Sequence, residues 1–329
     1  SGRFQRLVVA EVIPEVVDAV RRNGGAYNVC VAHPDGIKTH SIKGVEIFNP
    51  SVPADRRALA EAIRDAQEIA TALPSVDFFE RGGAISAAAL LADGLALKND
   101  ATPRAVIYTA ENHNHAAELL DAALDRRWGP RSGTVRRHIQ CLNTVVGKMS
   151  GVVTDQAQLA AQNLAPIAPG IRRAFLVEEF NRILITRVRW PDFKRAIGVF
   201  EEKDDLLAFE EAKLYGHNAT HALLGYLGKY KNCVYMSDAG RIPAIIDAAR
   251  AAFIEESGTA LCRKYRGIDH LFTSAGYKAY AEDLIPRMLN PHLRDTVDRI
   301  TRDPRRKLAW DDRLVGAMDT VHTLLHAPA

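Results

Sequence analysis

Apolar positions along this chain change period in a regular way. Leu7–Ala10 is a short β-rich run closed by an acidic residue, Glu11. Behind it, Val16, Val17 and Val20 line one side of a helical pattern that starts at Pro14 and stops at Gly24-Gly25. Ala26–Pro50 alternates apolar and polar positions and carries Asp35-Gly36, which predicts hairpin strands. A helix over "RRALAEAIRDA" leads to a strand at Glu68–Leu73, closed by Pro74-Ser75. "AISAAALLADGLAL" predicts the next helix. Arg104–Asn112 has a nearly continuous apolar centre, the pattern of a strand covered on both faces. A helix at His115–Gly129 and a strand over "HIQCLNTVVGKM" continue the alternation.

Strands and helices alternating in this order predict an α/β fold, a Rossmann-like doubly wound sheet. From about Phe193 the patterns are helical and no strand is expected. The boundary is therefore placed near 190, with an α/β domain over residues 1–190 and a mostly α-helical domain over 191–329.

Composition narrows the classes. The 329 residues are 47% hydrophobic and 25% charged, and 43 basic against 40 acidic residues leave a net charge of +3. That balance argues against a nucleic-acid binder, while a local basic pocket for a small anion stays possible. No apolar run reaches the ~18 residues of a membrane span, so no membrane partner is expected. Cys30, Cys141, Cys233 and Cys262 are far apart and lack zinc-ligand spacing, which suits free thiols in a reducing cytoplasm. His113 and His115 alternate in "ENHNH", yet two ligands do not make a site, and no metal is expected. The chain carries no signal for an oligomeric state.

In a Rossmann fold the acid after the second strand contacts the ribose of a dinucleotide, about 20 residues past a GxGxxG turn. Glu11 fits that place by context, which would put the turn about ten residues ahead of Ser1. No GxGxxG occurs in the chain, and "RGGAISA" lacks the spacing. Two readings stand here: a fold whose first strand and helix lie outside the sequence, or a domain that binds no dinucleotide.

The helical run "EEAKLYGHNATHALLGYLGKY" (Glu210–Tyr230) raises a different question. With ~100° per residue from Lys213, His217 falls at ~40°, Glu210 at ~60°, His221 at ~80° and Asn218 at ~140°. Leu206 and Leu224 share that arc. Such a pattern is commonly a core helix with one wet stripe. It also suits chemistry. A lysine in a partly dry pocket loses affinity for its proton and can act as a base. Oxidation of an alcohol to a ketone needs such a base, and amide or imidazole donors can stabilise the oxygen.

The segment Lys213–His221, K-x4-N-x2-H, resembles the signature of the polyol-specific long-chain dehydrogenases, the mannitol dehydrogenase family. "TAEN" (Thr109–Asn112), "EESGTAL" (Glu255–Leu261), "NPHLRDTVDRI" (Asn290–Ile300) and "RDPRRKLAWDDRL" (Arg302–Leu314) are similar to that family's blocks, in its order. The last block resembles the sugar-phosphate branch. The resemblance implies Lys213 as general base, Asn218 and Asn112 holding the reacting oxygen, and His221 orienting the substrate. It implies a proton-exchange position at Glu210 and a supporting role for His217. Glu11 would meet the ribose 2′-hydroxyl, favouring NAD as cofactor, and Ala72, Leu73 and Pro74 would line the nicotinamide side. It also implies a first strand and glycine turn ahead of Ser1, and further helices past Ala329. "GKM" (Gly147–Met149) departs from relatives that often carry an Asp-Arg pair there.

The basic cluster Arg302, Arg305, Arg306, Lys307 and Arg313 is of a kind usually solvated. Guanidinium groups nevertheless suit phosphate through paired hydrogen bonds. Arg306, Lys307 and Arg313 are expected near a substrate phosphate. The expected partner is thus a small-molecule polyol or sugar phosphate. A free polyol or a sugar acid is the sibling alternative, and a non-catalytic homologue that binds sugar phosphate is another.

Overall fold

A computed structural model describes residues 4–180 and 182–326. The chain divides into two compact units, Ser1–Val31 with Ile37–Leu206, and Ala32–Gly36 with Leu207–Ala329. The strands are β1 (Leu7–Ala10), β2 (Tyr27–His33), β3 (Gly36–Ile42), β4 (Val45–Phe48), β5 (Glu68–Thr71), β6 (Ala105–Thr109), β7 (Ile139–Val146), β8 (Ser150–Val153), β9 (Ala174–Glu178), β10 (Ile183–Thr186) and β11 (Phe200–Lys203). The principal helices of the first unit are α1 (Pro14–Arg22), α2 (Pro53–Asp65), α3 (Ala87–Leu95) and α4 (Ala116–Trp128).

Strands β5, β6 and β7 form a parallel core, and β1 pairs in parallel with β4. The larger sheet has the order β11-β10-β7-β6-β5, while β3-β2-β9-β8 form another sheet. The hairpin expectation for Ala26–Pro50 covers β2 and β3. It fails for β4, which turns away to lie parallel with β1.

The apolar centre of β6 has the cause its pattern suggested. All five residues are buried. Ala105 and Ile107 join a core with Leu59 and Ile63 of α2, Leu91 and Leu95 of α3, and Leu120 and Leu124 of α4. Val106 and Tyr108 join a second core with Leu142 and Ile185, against which Trp190, Phe193 and Ile197 pack. Val8 of β1, Phe48 of β4 and Ile69 of β5 pack on the helix-side core, so both parallel sheets share it.

Two buried details set the helix positions. Lys98 Nζ donates to the carbonyls of Arg64 and Ala66 at the end of α2, at 2.7 and 2.9 Å, and to that of Pro103 ahead of β6 at 2.7 Å. Gly94 lets α3 approach α2, because a Cβ there would stand 2.6 Å from Ile63 and 2.9 Å from the Ala60 carbonyl. Gly94→Ala gains up to about 1 kcal/mol of helix propensity, but overpacking costs about 1–3 kcal/mol. A net loss of stability is expected, read as a lower urea midpoint at unchanged slope.

One expectation needs correcting. Strand β11 lies beyond Phe193, pairs in parallel with β10, and belongs to the first unit, which runs to Leu206. Its sequence, Phe-Glu-Glu-Lys, has no apolar alternation because it is a sheet edge. Edge strands carry charge. Here Glu201 pairs with Arg182 at 2.9 Å and Glu202 with Arg195 at 3.0 Å.

From Leu207 onward the second unit is helical, with no strand among the described residues. Leu207–Glu211, Ala212–Asn218 and Ala219–Tyr230 run end to end, as do Pro243–Arg250, Ala251–Gly258 and Thr259–Lys264. In each series the middle segment is a π-helix.

Candidate active site

The π segment Ala212–Asn218 contains Lys213, His217 and Asn218, with Glu210 one turn before and His221 one turn after. This corrects the regular helical arc drawn from the sequence. In an α-helix a residue five positions on is turned ~140° away. A π turn closes i→i+5 rings, so the residue five on comes to lie over the first. Lys213 and Asn218 are five apart, and the wider turn swings Asn218 back toward the Lys213 side. Gly216 allows it to pack inward, since a Cβ there would stand 2.6 Å from both the Phe253 ring and the Tyr277 hydroxyl. Phe253 belongs to the other π segment, and its ring meets Tyr277 edge-on at 5.7 Å. Gly225 does the same nine residues on, where a Cβ would stand 2.5 Å from Ile300.

Burial sets the electrostatics. Desolvation pushes the Lys213 ammonium down from 10.5 to about 8; Glu210 pulls it up and Arg313 pushes it further down. Glu210 itself is buried. His217 is buried too, and desolvation, aided by His221 and Lys213, pushes its pKa well below the usual imidazole value. Its Nδ1 has no hydrogen-bond partner among the described residues. Desolvation lowers His221 to about 4 against the pull of Asp295, whose Oδ2 lies 3.6 Å from Nε2. At neutral pH both imidazoles are therefore uncharged.

The basic cluster separates into two kinds. Arg313 lies near enough to Lys213, His217 and His221 to depress all three pKa values. It also binds Asp312, Nε to Oδ1 at 2.8 Å. Arg306 is half-exposed and pairs with Asp303 at 2.9 Å and Asp312 at 3.2 Å. Lys307 is buried, its Nζ donating to the Arg302 carbonyl, and burial lowers its pKa.

The other expected residues belong to the first unit, each after the carboxyl end of a parallel strand, where α/β folds bind ligands. Glu11 follows β1, and its Oε1 accepts from the Ile13 N–H at 2.9 Å, at the entry to α1. Ala72, Leu73 and Pro74 follow β5, and Asn112 is exposed after β6. The sequence reading passed over Glu111, a buried carboxylate that ties these ends together. It accepts from Thr71 Oγ1 and from the Leu73 N–H, both at 2.9 Å. The same reading quoted "TAEN" and "NPHLRD" without singling out Glu111 or Asp295; the position of each in a quoted block was the available signal.

A parallel-stranded α/β unit is thus followed along the chain by a helical unit holding a desolvated lysine among neutral imidazoles. Residues 205–323 match the family model for the mannitol dehydrogenase C-terminal domain. The chain is 29% identical over 310 residues to a mannitol-1-phosphate 5-dehydrogenase of Paenarthrobacter aurescens strain TC1, covering 93% of this chain and 73% of that one. Its fold is similar to a crystal structure of D-sorbitol dehydrogenase in substrate-free form, at TM-score 0.71 and 14% identity, over 92% of this chain and 67% of the other. It is also similar to a Pseudomonas fluorescens mannitol 2-dehydrogenase solved as a ternary complex with NAD and D-mannitol, at TM-score 0.61 and 15% identity, over 87% and 62%. At these identities the two structures speak to fold alone. Over residues 205–323 the chain is similar to the mannitol dehydrogenase family.

Proposed function

We propose that this chain carries the residues of an NAD-dependent oxidoreductase that interconverts a polyol phosphate and a ketose phosphate, of the mannitol 1-phosphate and fructose 6-phosphate type. The observation that carries the reading is Lys213, whose pKa of about 8 lets an amine take and return a proton near neutrality. In this reading the first unit holds the cofactor and the second the reacting groups. Glu11 fits the ribose, because one carboxylate oxygen is fixed by Ile13 and the other can accept from a hydroxyl. The Ala72–Pro74 backbone, steadied by Glu111, suits the nicotinamide side. When bound, NAD supplies the hydride acceptor.

Neutral Lys213 Nζ takes the hydroxyl proton of the alcohol as the carbinol hydrogen leaves with its electron pair. Asn218, in the same π segment as Lys213, donates amide hydrogens to the oxygen as its charge grows. Glu210, which acts electrostatically on Lys213, would pass the proton onward in this reading. His221 orients the substrate, and His217 supports it.

A second reading, a free polyol or a sugar acid as substrate, is favoured by one observation. Arg306, Lys307 and Arg313 already have acceptors within the protein. The test of both is NADH oxidation by the full chain with fructose 6-phosphate, fructose, fructuronate and tagaturonate. Absence of turnover with all four, together with absence of NADH binding, overturns the enzyme reading.

The pH dependence has a definite sign. At the ordinary value only about 0.3% of a lysine is neutral at pH 8, whereas at about 8 half of it is. Alcohol oxidation is expected to rise with pH and level off above about 8. Ketone reduction, which needs the protonated amine, should fall through the same range. Initial rates in both directions across pH 6–10 check this, and parallel slopes in the two directions contradict it.

A further inference from the structure

We infer that Asp295 is a positioning residue for His221, holding the imidazole with its proton on Nε2 so that Nδ1 accepts a hydrogen bond from a substrate hydroxyl. The inference rests on the reading of His221 as a residue that touches substrate. His221 Nε2 is buried, has no hydrogen-bond partner among the described residues, and faces Asp295 Oδ2 at 3.6 Å. A bare nitrogen lone pair held against a buried carboxylate would repel it. A proton on Nε2 turns that contact into attraction. An imidazole that is neutral carries one N–H only, and which nitrogen has it is set by the partner of the other. Burial keeps this ring neutral despite Asp295. The proton therefore belongs on Nε2, and Nδ1 is left as an acceptor.

Asp295 is fixed on every side. Its carbonyl accepts from the Met236 N–H at 2.9 Å, Val297 N–H donates to Val234 at 3.0 Å, and Tyr235 bridges to Thr296. Before it, Arg294 adopts a left-handed conformation at φ 48° with its guanidinium 4.9 Å from the Tyr235 ring centroid. After it, Arg299 grips both carboxylate oxygens, Nε to Oδ1 at 2.5 Å. A non-glycine residue at positive φ is strained and persists where its surroundings over-determine it. The 3.6 Å separation is longer than a hydrogen bond, and contacts of this kind tighten when substrate enters.

The consequence is a substrate requirement. His221 does not stabilise the reacting oxygen by donation; it receives a hydroxyl beside the reacting carbon. The substrate class is a polyol with a vicinal hydroxyl, and an analogue lacking that hydroxyl loses the contact.

Two measurements test this. In the full chain labelled with 15N-histidine, two-bond proton–nitrogen correlation spectra read the tautomer, with His221 assigned by its loss in His221→Gln. Nε2 is expected to be protonated and Nδ1 bare; a proton on Nδ1 overturns the inference. In kinetics, Asp295→Asn should raise KM for the vicinal polyol about tenfold with kcat nearly unchanged, leave the deoxy analogue unaffected, and be partly rescued by Asp295→Glu. Equal losses on both substrates mean a merely structural role and overturn it. Absence of turnover with every polyol and ketose defeats the functional reading, while the spectra still decide the tautomer.

Discussion

Replacing Lys213 with alanine is expected to lower kcat of the proposed reaction by about a hundredfold to ten-thousandfold, the usual worth of a positioned acid–base group. The side chain is half-buried in a π turn, and desolvation and Arg313 both work against its charge. Those are the conditions under which an amine becomes a base at neutral pH. Two further variants separate base from scaffold. Lys213→Arg keeps length and charge but carries a guanidinium that does not deprotonate, so it should be as inactive as alanine. Added methylamine should restore part of the Lys213→Ala activity, because a small amine can enter the space and accept the proton. Activity of the alanine variant within about tenfold of the parent, ~1.4 kcal/mol of barrier, places the base elsewhere. KM should move less than kcat, since the proton transfer belongs to the transition state.

What could be read from the sequence follows how local each cause is. Strand β6 was legible because both its faces are buried, which leaves an uninterrupted apolar run. Strand β11 was not, because an edge strand is selected for charge and carries none of the periodicity of a core. The polar cluster on the Lys213 helix was visible as an arc. Its true geometry was not, since the 100° step assumes a regular α-helix and the π turn packs at Gly216 against Phe253 and Tyr277, far along the chain. Asp295 escaped for a related reason: nothing near His221 in sequence announces a carboxylate, and only tertiary packing brings it to 3.6 Å. The cations of the last block were plain to see. Their partners Asp303 and Asp312 stood beside them, yet the pairing depends on a turn in which Asp303 itself adopts a left-handed conformation.

That pairing decides the second large effect. Arg306→Ala is expected to raise KM for fructose 6-phosphate at least about tenfold while changing KM for fructose less than about twofold. Arg306 is half-exposed between Asp303 and Asp312, and exposed ion pairs of this kind are worth about 0–1 kcal/mol. A phosphate offers a guanidinium charge-assisted bonds worth about 1.5–3 kcal/mol. The arginine can therefore leave its aspartates for a substrate phosphate at a net gain. Lys307 cannot do so as readily, because its buried ammonium is held by the Arg302 carbonyl. Arg313 can, but it also tunes Lys213, so its removal should shift the pH profile as well as KM. Arg306 is the cleaner probe. Asp312→Asn, which loosens both arginines, should lower KM for the phosphorylated substrate. Equal KM changes for fructose 6-phosphate and fructose in Arg306→Ala mean that the cluster is surface charge, and the free-polyol or sugar-acid reading then replaces the phosphate one.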